Sequence, residues 1–170
     1  FFRFLRIGPL FTALFLSKSF PVNPLFSAKT LYPDISVKMM SSEVSKAQQA
    51  SQPQKSEKTL FDKIVSKEIP ADVFYEDELC MAFNDISPQA PVHFLVIPKD
   101  KNGLNRLSDA KEENKPLLGH LLYVAQLLAK QRGLGPGFRV VINDGRNGCQ
   151  SVYHIHLHVI GGKQLGWPPC

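Results

Sequence analysis

Three histidines, His154, His156 and His158, alternate with Ile155, Leu157 and Val159 inside the stretch NDGRNGCQSVYHIHLHVIGG, residues 143–162. Strict alternation is the period of a β-strand, on which residues i, i+2 and i+4 share a face. The spacing predicts three imidazoles in a row, about 6.8 Å from one to the next, with the apolar residues turned to a core. Neutral imidazole offers one lone-pair nitrogen and titrates near neutrality, so one ring could attack phosphorus and become covalently nucleotidylated. Its neighbours could orient it, fix its tautomer and hold phosphate oxygens. Upstream, Gly145 and Gly148 allow backbone N–H groups to turn toward an anion, and Gln150 and Ser151 add donors for charge that builds at phosphorus. A second chemistry is open to the same residues: His-x-His on a strand can bind zinc, and three imidazoles suffice for a catalytic zinc site.

The elements around this stretch are legible in order. Thr59 followed by Asp62 resembles a capping box, and Leu60, Phe61, Ile64 and Val65 give a short amphipathic helix ended by Pro70. Val73 to Glu76 and Leu79 to Asn84 read as strands around the acidic turn Glu76–Asp77–Glu78, and His93 to Ile97 as a compact apolar strand. A long helix is predicted from Asn114 as cap, with Pro116 in its first turn and Gly133 and Gly135 at its end. Its two adjacent apolar stripes, Leu117, Leu121, Val124, Leu128 and Leu118, Leu122, Ala125, call for cover from more than one neighbour. Phe138 to Asn143 precedes the histidine strand. Five strands and two main helices predict an α+β domain on an antiparallel sheet over residues 59–170.

Charge narrows the function classes. Residues 60–170 hold 12 Lys/Arg and 12 Asp/Glu, so the excess of basic groups lies entirely upstream. A neutral domain offers no nucleic-acid surface, and its anion must be held by local geometry. Cys80, Cys149 and Cys170 are odd in number and share no CxxC spacing, which argues for reduced thiols.

The residues then match a known family. Gln150–Ser151–Val152 followed by His154-Ile-His156-Leu-His158, with DISPQAPVHFLVIPK at 85–99 and GWPPC at the end, resembles the histidine triad (HIT) superfamily and its Hint branch of nucleotide-binding proteins. The resemblance runs over about residues 58–170. It implies a purine nucleoside phosphoramidase that cleaves AMP–amine conjugates with no cofactor and no metal. It implies His156 as nucleophile, His158 on the α-phosphate, and His154 orienting His156 with His93 behind it. Ser151 would assist the departing amine, Asn143, Gln150 and the Cys149 N–H would meet phosphate, and Asp85 would hold the ribose. Leu60, Phe61, Ile64, Phe83 and Ile86 would form the purine slot. It also implies a homodimer whose sheet continues across the interface, with Trp167 reaching the partner's site. Cys149 stands where many family members have Gly, and Asn84 where a His is common. Two other classes are a nucleotide-responsive binding protein with weak hydrolysis and a zinc-binding protein.

Residues 1–33 contain no Asp or Glu but carry Arg3, Arg6, Lys18, Lys29 and several Ser, the composition of an organellar transit segment, expected over 1–38. Leu10 to Leu16 is too short to span a bilayer. Residues 39–58, rich in Ser, Gln and Lys, read as a flexible linker. Met39 or Met40 could instead begin a shorter, cytoplasmic or nuclear product. We expect mass spectrometry of the native protein to find an N-terminus within or near the linker and the protein in a mitochondrion or plastid. A purely cytosolic product beginning at Met39 or Met40 would contradict the transit reading.

Overall fold

The computed structural model describes residues 43–50 and 58–169. The expected transit segment, the remainder of the linker and Cys170 lie outside the described residues. Within the span read as linker, residues 43–49 form a short helix, α1, and its Ala47 is buried.

The capping box forms as its spacing suggests. The Thr59 hydroxyl accepts from the Asp62 N–H at 3.2 Å, and Asp62 Oδ2 accepts from the Thr59 N–H at 2.7 Å, starting helix α2 (Leu60–Val65). Such a cap is worth about 1 kcal/mol. Helix α3 (Lys115–Gln131) has Pro in its first turn. Asn114 stands at its N-cap position, but its side chain accepts from the Lys111 N–H at 2.8 Å, which belongs to the preceding 3₁₀ turn Glu112–Asn114. A second 3₁₀ turn spans Leu107–Asp109.

The strands are β1 (Val73–Glu76), β2 (Cys80–Asn84), β3 (Val92–Pro98), β4 (Phe138–Val141) and β5 (Leu157–Gly161). They form one antiparallel sheet in the order β1-β2-β3-β5-β4, so β5 inserts between β3 and β4. Side-chain alternation then divides the core. Cys80, Ala82, Phe94, Val96, Leu157 and Val159 pack under Leu121, Val124, Ala125 and Leu128 of α3. Met81, Phe83, Leu95 and Ile97 on the other face meet Phe61 and Ile64 of α2.

One sequence expectation is corrected. β5 begins at Leu157, so of the three alternating histidines only His158 belongs to the strand. His154 and His156 occupy unpaired backbone ahead of it, although both are buried. They do not form an even row on a pleat. The alternation in the sequence is real, but its first half serves two-sided burial: Tyr153, His154, Ile155 and His156 are all buried whichever way they point. Among the described residues no helix is long and apolar enough to cross a membrane.

Candidate active site

The α2 face of the sheet opens into a cleft of about 810 Å³. β5 brings His158 and Ile160 to it, β3 brings His93 and Leu95, β4 brings Val141, and α2 supplies Leu60, Phe61 and Ile64. His156, Ser151, Asn143, Cys149, Asp85, Phe83 and Ile86 also line it, whereas His154, Gln150 and Trp167 of the set expected from the sequence do not. Glu43 and Lys46 of α1 also line it.

Hydrogen bonds assign the imidazole tautomers. The Gln89 N–H reaches His93 Nδ1 at 3.1 Å, so the His93 proton resides on Nε2. That nitrogen lies 2.9 Å from His158 Nδ1, which must accept, leaving the His158 proton on Nε2. His156 Nδ1–H donates to the carbonyl of His154 at 2.7 Å, so its Nε2 carries a free lone pair. The rings of His156 and His158 lie 5.1 Å apart, centre to centre, and Phe61 meets the His156 ring edge-on at 5.1 Å.

Burial sets the charge state of this array. It pushes His93 and His156 below the ordinary imidazole pKa. His158 falls to about 3, through burial first and then the neighbouring His156 and His93 rings. At neutral pH the cleft therefore presents a neutral lone pair, His156 Nε2, beside a neutral N–H donor, His158 Nε2.

His154 acts behind the cleft. Its Nε2 lies 2.8 Å from the Pro98 carbonyl and its Nδ1 3.1 Å from Asp62 Oδ1, with no exposure to solvent. Burial lowers its pKa too, against the pull of those two acceptors. Asp62 also receives Lys101 Nζ at 2.8 Å. Burial works against its ionisation, but the Lys101 and Thr59 hydrogen bonds prevail and take its pKa to about 2.

Several expected roles change in detail. His154 positions His156 through its backbone carbonyl, not its ring, and His93 backs His158, not His154. Gln150 is 1% exposed, with its Nε2 donating to the Asn105 and Val152 carbonyls at 2.7 and 3.0 Å and its Oε1 accepting from the Gly145 N–H. It pins the glycine loop and has no donor left for phosphate. The Cys149 N–H is likewise spent, on the Arg146 carbonyl at 3.1 Å. Its φ of 62° explains why glycine suits that position, since a left-handed residue with a Cβ costs roughly 1 kcal/mol. At Gly148 a Cβ would lie 2.3 Å from the Asp144 carbonyl oxygen, so only glycine fits. Asn143 lines the cleft while donating to the Gly148 carbonyl. The Asp85 Oδ1 accepts from the Ser87 N–H, and its Oδ2 faces His93 and His158 at 3.4 and 3.6 Å. Ile86 stands at the rim, 98% exposed, and Trp167 is 86% exposed away from the cleft.

The zinc alternative also meets this geometry. The three triad rings do not converge on one point. Among the described residues, the group in the cleft with metal-ligand spacing is Asp85, His93 and His158, which takes in a single triad member.

Residues 66–165 match the family model described as HIT domain. The chain is 62% identical over 111 residues to the 14 kDa zinc-binding protein of Zea mays, covering 65% of this chain and 87% of that one. It is 62% identical over 111 residues to Adenylylsulfatase HINT1 of Arabidopsis thaliana, covering 65% and 76%. The crystal structure of a HIT family hydrolase from Legionella pneumophila aligns with a TM-score of 0.64 at 46% identity, covering 66% of this chain and all of that one.

The lowered imidazole pKa values imply an acid-labile fold. Below the unfolded value of 6.5 the unfolded chain binds more protons than the folded one, so stability falls as pH falls, for His158 down to about 3. Asp62 adds in the same sense: its stabilisation is present above 3.8 and lost as pH falls toward about 2. We expect the urea midpoint to decline steadily from pH 6.5 to about 4, and His158→Asn to flatten that decline. A midpoint independent of pH across the window would refute the neutral array.

Proposed function

The chain belongs to the HIT domain family, and on that premise we propose that it is a purine nucleoside phosphoramidase that hydrolyses the P–N bond of AMP–amine conjugates through a covalent nucleotidyl-histidine. One observation carries the reading: the His156 Nδ1–H bond to the His154 carbonyl leaves Nε2 as a lone pair open to the cleft, beside Ser151 and His158. The nucleotide's purine lies among Leu60, Phe61, Ile64 and Phe83, with Ile86 at the rim, and its ribose near Asp85. His156 Nε2 attacks the α-phosphorus, the P–N bond breaks, and the amine leaves with a proton from Ser151, which recovers one from solvent. His158 Nε2–H donates to a phosphate oxygen and strengthens as charge develops there. Water then attacks the nucleotidyl-histidine, releasing AMP and the neutral imidazole.

The Arabidopsis relative's name favours a second substrate for the same site, AMP joined to sulfate. Sulfate departs without a proton, so that reaction depends less on Ser151. The Zea mays relative's name favours zinc binding in this chain as well, but no step above is routed through a metal.

For assembly we propose a homodimer. β4 is an edge strand, and α3 leaves Leu122 and Tyr123 half or more exposed, so both a ladder and an apolar face await cover. Trp167, exposed on one chain, then reaches toward the partner's cleft. Sedimentation at micromolar concentration is expected to give twice the chain mass, and a fully active monomer would exclude the dimer.

For chemistry we expect His156→Ala to lower kcat by about 10⁴ or more while AMP binding stays largely intact. Ser151→Ala should slow substrates with poor amine leaving groups most, and adenylyl sulfate least. Rapid quenching of wild-type enzyme should trap AMP on His156. A His156→Ala variant that kept more than a few per cent of kcat would require another nucleophile and end the covalent reading.

A further inference from the structure

Outside the cleft, a second group of chemically capable side chains meets on the opposite, α3 side of the sheet. Cys80 is the first residue of β2 and packs in the core under α3. Asp77 lies in the turn before it, and His120 projects from α3. His120 Nε2 is 2.8 Å from Asp77 Oδ2, and Cys80 Sγ is 3.5 Å from the same oxygen. One ligand atom from each residue lies within 4.8 Å of the other two. The proposed phosphoryl chemistry uses none of them.

We propose that Asp77, Cys80 and His120 form a binding site for a divalent cation of the zinc class. A thiolate, an imidazole and a carboxylate are the ligand set that zinc takes, in a first shell of four. The two charged ligands would neutralise the cation, which limits the cost of placing it at the edge of a core. Asp77 is already oriented as a metal-binding carboxylate is. Its Oδ1 accepts from the Leu79 and Cys80 N–H groups at 2.8 and 2.7 Å, and the Tyr75 hydroxyl donates to Oδ2 at 2.8 Å. The Asp77 and His120 side chains keep 24% and 30% of their exposure, which leaves an entry path and room for a water as fourth ligand. On binding, the thiol proton passes to solvent and the His120 proton moves to Nδ1, freeing Nε2 for the metal. Without a cation the thiol is inert, because burial and then Asp77 push it up to about 12. The ligands come from the β1–β2 turn, the start of β2 and α3, so the cation would tie a sheet corner to the helix that covers it. The role is structural and lies apart from the cleft.

The test uses the full-length, metal-free protein titrated with Co²⁺ alone, then with Zn²⁺ as competitor. Co²⁺ should give a near-ultraviolet thiolate-to-metal charge-transfer band, which the sulfur-free group Asp85, His93 and His158 cannot produce. His120→Ala, at a part-exposed position, should weaken Co²⁺ binding by at least about tenfold. Zn²⁺ should raise the thermal midpoint of wild type but not of that variant. Chelation should leave kcat for an adenosine phosphoramidate unchanged. Absence of the band from folded wild-type protein would overturn the proposal. So would a band and affinity that His120→Ala leaves intact, or metal binding that disappears with His158→Ala instead.

Discussion

The hydrogen bond from His156 Nδ1 to the carbonyl two residues earlier constrains everything around it. A carbonyl within a central strand is normally committed to its neighbour in the ladder. The His154 carbonyl is free to meet a ring because the chain has not yet entered β5 there. Pairing begins one residue after His156, at Leu157. Irregular backbone ahead of the strand is thus what supplies an internal acceptor and leaves Nε2 facing outward. That backbone needs its own support, and receives it from the clamp of Asp62 and Pro98 on the His154 ring and from the Ile155 N–H bond to the Leu104 carbonyl.

The glycine loop follows the same logic. Its side-chain and backbone donors are largely consumed in holding its shape: Gln150 ties Gly145 to Asn105 and Val152, and Asp144 accepts from both the Ser108 N–H and hydroxyl. The loop is a rigid rim that presents Ser151, whose hydroxyl makes no hydrogen bond among the described residues, to the cleft. With no partner of its own, that hydroxyl is free to turn its proton toward a departing amine, the role proposed for it.

How much of this was legible depends on how far apart the interacting residues lie. The capping box of Thr59 and Asp62 and the strand limits of β1 are local, and periodicity or turn chemistry exposes them, whereas the need for glycine at Gly148 comes from the Asp144 backbone packed against it. The bond of Asp62 to His154 joins residues 92 apart, and that of His93 to His158 joins residues 65 apart, so each exists only through the β3–β5 register and the seating of α2. The family resemblance named residues most of which line the cleft, but it implied Gln150 on phosphate. Only its buried environment reveals a side chain with every donor spent. The α1 helix was hidden because a polar, Ser- and Gln-rich stretch has little pattern, and a single small residue, Ala47, makes the buried contact.

The charge state of the cleft also bears on how such a site discriminates ground state from transition state. Four imidazoles crowded together would repel strongly if protonated, and burial removes that possibility for His158, His156 and His93 at neutral pH. A cationic cleft would bind any phosphate tightly, product included, and such uniform attraction would lower KM without raising kcat. Neutral N–H donors bind a ground-state phosphodiester or phosphoramidate modestly. Their attraction grows as negative charge accumulates on the equatorial oxygens, so the gain falls on the transition state. In the proposed reaction the neutral His156 lone pair needs no prior deprotonation, and the positive charge it would acquire on attack arises next to the anionic phosphorus centre. Keeping the histidines uncharged by burial is therefore the same device that, in the proposed reaction, would make one of them a nucleophile and another a selective stabiliser.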